Sequence, residues 1–268
     1  MKQIPNLFTL LNLLFGCIAI VYITQSGLVF MYKDVGLNSY MPDLDINGNQ
    51  IISLPEPLCL ASMFIGLAAI VDFFDGFIAR LLKVPSEMGK QLDSLADLVS
   101  FGVAPGFIVY QFLRLSFSQQ NNALDVNIIL LMPAFLLPLA GAYRLARFNL
   151  DKNQSFGFKG VPIPATGLLF ASFPLIFFIT SKGAPWVTSV LVNKWFWYGA
   201  ILLTSYLMVS TLPMLALKFS GFTAKKALPF MILAVITVAA ALSFGWLAAP
   251  VAFIAYVILS LSFKQPES

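Results

Sequence analysis

Residues 57–82 read PLCLASMFIGLAAIVDFFDGFIARLL. A stretch of this length crosses a bilayer as one α-helix, which takes about 20 mainly apolar residues. Yet Asp72 and Asp75 stand in its second half, and Arg80 follows them. Charged side chains within a membrane segment are costly and raise the question of function by default. The two aspartates are three positions apart and share a helix face. A second apolar stretch, 91–116, carries Asp93 and Asp97, four apart and again on one face. Between the stretches, Lys83-Val84-Pro85-Ser86 reads as a turn that lays the second helix back beside the first. The two acidic pairs are then expected to face each other near one end of the helices.

The rest of the chain agrees with a membrane protein. Of its 268 residues 59% are apolar and only 10% charged, whereas a soluble domain is about 25% charged. Apolar runs between polar breaks predict helices over 5–26, 57–82, 91–116, 126–148, 162–181, 194–217, 227–243 and 246–263, the last two joined tightly at Ser243-Phe244-Gly245. The expected fold is all-α, a polytopic bundle of about eight transmembrane helices forming a single domain over 1–268. Met1-Lys2 and the apolar run behind them mimic a signal peptide, but no small-x-small cleavage site follows, so a retained first helix is expected. When loops are assigned to alternate sides, twelve of the 16 basic residues share the side of both termini, which is therefore expected to be cytoplasmic. The long polar loop, about 27–56, falls on the other side. A net charge of +4 without a Lys/Arg run fits this topological bias and gives no nucleic-acid surface.

Histidine is absent, so a general base must come from a carboxylate, Lys, Tyr or Cys. Cys17 and Cys59 lie in apolar runs and are not spaced as a ligand pair, which excludes a soft His/Cys metal site. Any metal is then a hard ion held by oxygen, Mg²⁺ or Mn²⁺. Four carboxylates brought together repel one another unless one or two such cations lie among them. Gly76 and Ala79 lie along the Asp72/Asp75 face, and Gly89 stands four before Asp93. Small side chains there permit close helix packing or leave room for a flat ligand against the backbone. Arg80 is placed to hold phosphate oxygens. By themselves these residues suit a metal-dependent enzyme, the ion or proton path of a cation transporter, or aspartates lining a water-filled packing site.

The pattern Asp72-x2-Asp75-Gly76-x2-Ala79-Arg80-x8-Gly89-x3-Asp93-x3-Asp97 resembles the signature of the CDP-alcohol phosphatidyltransferase family at every fixed position. The resemblance implies a six-helix catalytic core, here about 1–217, with 218–268 adding two helices. It further implies a site open to the cytoplasm at the inner face of the cell membrane. It implies that Asp72, Asp75 and Asp93 ligate the metal, that Asp97 acts as base and touches a second metal, that Gly76, Ala79 and Gly89 make room for the cytidine, and that Arg80 contacts the diphosphate. Members of the family often form homodimers, and the Gly/Ala-rich apolar faces allow one here.

Flanking segments resemble the phosphatidylserine synthase branch of that family. They are Pro5-Asn6-Leu7-Phe8-Thr9-Leu10-Leu11-Asn12-Leu13, the run Leu92-Asp93-Ser94-Leu95-Ala96-Asp97-Leu98-Val99-Ser100-Phe101-Gly102-Val103-Ala104-Pro105 that extends the core motif, Tyr143-Arg144-Leu145-Ala146-Arg147-Phe148-Asn149, and Phe158-Lys159-Gly160-Val161-Pro162-Ile163-Pro164-Ala165. This likeness implies transfer of a phosphatidyl group from CDP-diacylglycerol to L-serine, the alternatives being glycerol 3-phosphate, inositol phosphate or choline as acceptor. Serine is a zwitterion whose carboxylate suits a guanidinium. Arg144 and Arg147, three apart on one face, are candidates for serine or for the lipid phosphate; as plain basic residues they would be anchors that snorkel to headgroups. Ser94 and Ser100 are candidates for the acceptor pocket, Lys159 for an anionic headgroup, and Asn12 for the nucleotide.

Overall fold

The computed structural model describes residues 4–25, 32–33, 40–41, 56–82, 87–118, 126–150, 158–180, 184–215 and 224–263. Among them the helices are α1 (Ile4–Gln25), α2 (Glu56–Leu82), α3 (Glu87–Leu98), α4 (Ala104–Ser118), α5 (Leu136–Leu150), α6 (Ile163–Thr180), α7 (Pro185–Leu191), α8 (Lys194–Val209), α9 (Ala224–Phe244) and α10 (Ala248–Ser262). Two short antiparallel ladders accompany them: β1 (Tyr32–Lys33) with β2 (Tyr40–Met41), and β3 (Phe158–Lys159) with β4 (Pro213–Met214). Among the described residues, six stretches are long and apolar enough to cross a membrane: Pro5–Gln25, Glu56–Ile78, Glu87–Phe117, Ile128–Leu150, Ile163–Thr180 and Leu228–Ser262. The last passes through the turn at Gly245 and comprises α9 and α10, which pack on each other. The chain is an all-α, multi-pass membrane protein.

Burial follows helical periodicity. On α1 the buried positions are Pro5, Thr9, Asn12, Gly16, Ala19 and Ile23, alternately four and three apart, which is one face of a helix. On α2 the buried stripe runs Leu58, Ala61, Ile65, Ala68 and Asp75, with half-buried Asp72 upon it. The two stripes pack together. Small residues let the backbones approach: a Cβ on Gly16 would run into Ser100 Oγ and come within 2.9 Å of Ser100 Cα. Leu7, Leu10, Leu14, Phe73 and Phe77 cover the outer faces and are exposed, as lipid-facing side chains are in a bundle that hides its polar groups inside. An aromatic cluster of Phe112, Phe170, Phe173, Phe177 and Trp197 fills the bundle. Trp197 is fully buried and donates its indole N–H to the Leu191 carbonyl at 2.7 Å. Phe112 lies fifteen residues beyond Asp97, so this cluster sits about 20 Å along the helix from the aspartates.

Three expected helices differ from the periodic reading, each at a proline. The helix expected over 91–116 begins at Glu87 and is interrupted by a π-helical stretch, Val99–Val103, where Ala104 N–H donates to the Val99 carbonyl. Pro105 has no N–H to offer Phe101 and its ring crowds the Phe101 carbonyl, so the wider turn relieves the ladder. The helix expected over 126–148 opens as 3₁₀ turns, Ile128–Leu130 and Met132–Phe135, around Pro133. The helix expected over 194–217 stops at Val209, because Ser210 turns extended at ψ 159° and Pro213 disfavours helix at Leu212. The chain then runs into β4. The turn expected at 83–86 and most of the 27–56 loop lie outside the described residues.

Gly160 fixes the join between β3 and the end of α8. Its φ is +76°, its N–H donates to the Leu212 carbonyl at 2.9 Å, and the next N–H, of Val161, donates to the Leu207 carbonyl at 3.1 Å. A Cβ here would strike the Met208 carbonyl oxygen and lie 2.9 Å from that of Ser210. Left-handed backbone and backbone collision act together, so Gly160→Ala is expected to destabilise by roughly 1–3 kcal/mol. A lower thermal midpoint in detergent checks this, and an unchanged midpoint overturns it.

Candidate active site

Helices α2 and α3 bring acidic residues to one place. Asp72, Asp93 and Asp97 each offer a carboxylate oxygen, and these oxygens lie within 4.8 Å of one another. Asp93 and Asp97 both come within hydrogen-bonding reach of Asp72. Asp72 of α2 thus meets Asp93 and Asp97 of α3. Asp75 is treated differently. It is buried and accepts a hydrogen bond from the Thr9 hydroxyl, which also donates to the Pro5 carbonyl at 3.2 Å. Its charge still acts on Asp72 and Asp93, so it flanks the group of three.

Helix α1 supplies the organising amide. Asn12 is 1% exposed, and its Nδ2 lies 3.4 Å from Asp97 Oδ1 and 3.5 Å from Asp72 Oδ1. Ser100 donates to the Asn12 backbone carbonyl at 3.0 Å. One residue thus ties α1 to α2 and to the α3–α4 junction. Asn12 Oδ1 is buried and has no hydrogen-bond partner among the described residues.

The donor set fits a hard divalent cation. It is all oxygen, it is anionic, and among the described residues no Lys or Arg is ion-paired with it. Close carboxylates with no compensating charge repel strongly where water is scarce. Mg²⁺ and Mn²⁺ both take such ligands.

Around this centre the remaining candidates divide. Gly76 borders open space, since a Cβ on it would meet nothing within 4 Å; Gly89 is half-buried on α3. The side chains of Ala79 and Arg80 lie outside the described residues, although both belong to α2. Ser100 is fully buried between Asn12 and Gly16, where it packs α1 against the α3–α4 junction. Ser94 donates to the Lys90 carbonyl at 3.2 Å and accepts from Asn149 Nδ2 at 2.9 Å, so its hydroxyl ties α3 to α5. Lys159 is exposed at the surface.

The two arginines do not act as a pair. Arg147 donates to the carbonyls of Val209 at 2.7 Å, Ser210 at 2.9 Å and Lys159 at 3.4 Å. Its guanidinium clips α5 to the end of α8 and to β3. Arg144 is 5% exposed, its Nε is buried with no hydrogen-bond partner, and its guanidinium lies 5.9 Å from the Phe148 ring centroid. Among the described residues the carboxylate whose charge reaches it is Asp97. A buried guanidinium N–H without an acceptor is costly.

The family of CDP-alcohol phosphatidyltransferases matches residues 2–206, well over half of the chain. The chain belongs to this family. Among its known members, the CDP-diacylglycerol--serine O-phosphatidyltransferase of Bacillus subtilis is 34% identical over 136 residues, which is 50% of this chain and 72% of that protein. The protein of the same name from Helicobacter pylori is 38% identical over 112 residues, covering 41% of this chain and 44% of the relative. That of Methanocaldococcus jannaschii is 36% identical over 141 residues, 53% and 61% respectively. The family match takes in α1 to α5 and the aspartate centre, and ends within α8.

Thr9 and Tyr256 were given no role by the sequence, although Thr9 hydrogen-bonds Asp75 and Tyr256 hydrogen-bonds the Leu215 carbonyl after β4. Thr9 had a legible signal, since Pro5, Thr9, Asn12 and Gly16 form a small and polar stripe along an otherwise apolar helix. Tyr256 had none, because it lies in a generic apolar run.

Proposed function

We propose that this chain transfers the phosphatidyl group of CDP-diacylglycerol to the hydroxyl of L-serine, giving phosphatidylserine and CMP. The observation that carries the reading is the aspartate centre of Asp72, Asp93 and Asp97, with the buried Arg144, its Nε unpartnered, within electrostatic reach of Asp97. The names of the relatives support serine as the acceptor. The catalytic core is about 1–217, and 218–268 adds the α9–α10 hairpin.

Asp72, Asp75, Asp93 and Asp97 would hold Mg²⁺ or Mn²⁺ with help from Asn12. The ion, when bound, neutralises charge on the diphosphate and on the departing CMP. The side of α2 around Gly76, with Ala79 and Gly89, admits the cytidine, and Arg80 meets the diphosphate. Arg144 takes the serine carboxylate and thereby presents the hydroxyl to Asp97. Asp97 accepts the hydroxyl proton as the serine oxygen bonds to the diacylglycerol-bearing phosphorus. The bond from that phosphorus to the CMP oxygen breaks, and CMP leaves with the electron pair. Positioning and charge neutralisation supply most of the acceleration in such transfers. The site opens to the cytoplasmic face of the cell membrane, on the side of both termini, and Lys159 meets headgroups there. Two copies paired through small-residue helix faces belong to the same reading.

The test is purified protein in detergent with CDP-diacylglycerol, labelled serine and a series of metals. CMP release that requires both serine and a divalent metal supports the reading. Release driven by glycerol 3-phosphate, inositol phosphate or choline instead moves the acceptor, and metal uptake without CMP release removes the transferase.

A further inference from the structure

Helix α1 meets the aspartates of α2 at two points one turn apart. Thr9 and Asn12 stand three apart on the buried stripe of α1, and Asp72 and Asp75 stand three apart on α2. The Thr9 hydroxyl donates to Asp75 Oδ2, and Asn12 Nδ2 lies 3.5 Å from Asp72 Oδ1. One turn forward on α1 is therefore matched by one turn back on α2, as in antiparallel helices held in register. Asn12 reaches on to Asp97 of α3, so its amide ties the centre together. Thr9 has a narrower task, because the carboxylate it holds is that of Asp75.

Thr9 and Asp75 are 2% and 6% exposed, so little water competes for this hydrogen bond. The second acceptor near the hydroxyl is the Pro5 carbonyl at 3.2 Å. In the α-helical ladder that carbonyl has the Thr9 N–H as its regular partner. The carboxylate is the stronger acceptor for the hydroxyl proton, and the contact to Pro5 keeps the hydroxyl in the rotamer that meets α2. A hydrogen bond on one carboxylate oxygen fixes the plane of the group and sets the direction of the other oxygen. Carboxylates that ligate metals are held in this way by neighbouring donors.

We propose that Thr9 is a positioning residue of the metal centre, its hydroxyl fixing Asp75 so that this carboxylate joins Asp72, Asp93 and Asp97 around a divalent cation. This rests on the reading of the aspartates given above. Asp75 flanks the three residues whose oxygens lie within 4.8 Å of one another, so its share in the site depends on how it is aimed. The register between α1 and α2 thereby becomes part of the metal geometry.

The test is Mn²⁺ binding to the full chain in detergent, without substrate, read as free Mn²⁺ by electron paramagnetic resonance. Thr9→Val keeps the shape and removes the hydroxyl, and is expected to raise the Kd for Mn²⁺ by about 10-fold or more. Thr9→Ser keeps the hydroxyl and is expected to stay within about threefold of the parent. If Thr9→Val does not fold, Thr9→Ala against Thr9→Ser makes the same comparison. In an Asp75→Ala background the loss of the hydroxyl is expected to change Kd by less than about twofold, since it acts through that carboxylate. A Thr9→Val protein with the parent's Kd overturns the assignment even if its thermal midpoint falls, because that is helix packing alone. Tighter binding also overturns it, since the hydroxyl then holds Asp75 away from the ion. So does an equal loss with and without Asp75. Asp72→Asn separates the two readings. If it weakens Mn²⁺ binding while Thr9→Val does not, only the role of Thr9 falls; a parent that takes up no Mn²⁺ removes the metal centre and the role of Thr9 with it.

Discussion

Asp97→Asn protein is expected to fold, to bind CDP-diacylglycerol as the parent does, and to release CMP at least about a hundredfold more slowly at saturating serine and metal. Asparagine has the shape of aspartate and can still pair with Asn12, whose amide lies 3.4 Å from Asp97 Oδ1. What it lacks is a basic oxygen at the α3 end of the centre. A positioned carboxylate base contributes about 10²- to 10⁴-fold, and no histidine exists to replace it. The substitution also removes one negative charge from a group whose oxygens lie within 4.8 Å of each other, so weaker metal binding could mimic loss of the base. Raising the metal concentration separates the two. Activity that recovers with excess metal makes Asp97 a ligand only; a rate that stays low when the metal is saturating assigns it the proton.

What the sequence disclosed about this centre was the part governed by local geometry. The spacings of Asp72 to Asp75 and Asp93 to Asp97 place each pair on one helix face whatever else the chain does, and Asp72, Asp93 and Asp97 indeed converge. The division within the four was not legible. That Asp75 pairs with Thr9 depends on the register between α1 and α2, which their small-residue stripes set in three dimensions. The same holds for the serines. Ser94 and Ser100 stand in the motif segment, but whether a hydroxyl faces a ligand or a neighbouring helix is decided by Asn149 and Gly16, which come from other helices. Helix ends failed where proline changed the backbone, as at Pro105 and Pro213, because hydropathy reads composition and not hydrogen-bonding capacity. The α10 contacts to Leu215 were hidden for a further reason: Tyr256 and Ser260 are ordinary residues in an apolar run, and their meaning arises only when α10 folds back on β4.

Arg144 and Arg147 looked equivalent in sequence, and their substitutions are expected to separate sharply. Arg144→Ala should raise KM for serine by about a hundredfold, within the 2–5 kcal/mol that loss of one partner in a buried, hydrogen-bonded ion pair costs. KM for CDP-diacylglycerol should change by less than about threefold. Arg144→Lys keeps the charge but loses the planar fork that matches a carboxylate, so an increase of about tenfold is expected. The ground is the difference in what the two side chains already hold. Arg147 donates to three backbone carbonyls and has a structural task. Arg144 is buried with Nε unpartnered among the described residues, and its guanidinium lies 5.9 Å from the Phe148 ring centroid. Arg147→Ala is therefore the control: it should lower the thermal midpoint in detergent and leave the ratio of the two KM values near that of the parent. A serine KM indifferent to Arg144→Ala, or a CDP-diacylglycerol KM that rises in its place, would hand this arginine to the lipid phosphate. The carboxylate of the acceptor would then have to be met by a group other than the one buried cation whose charge reaches Asp97 among the described residues.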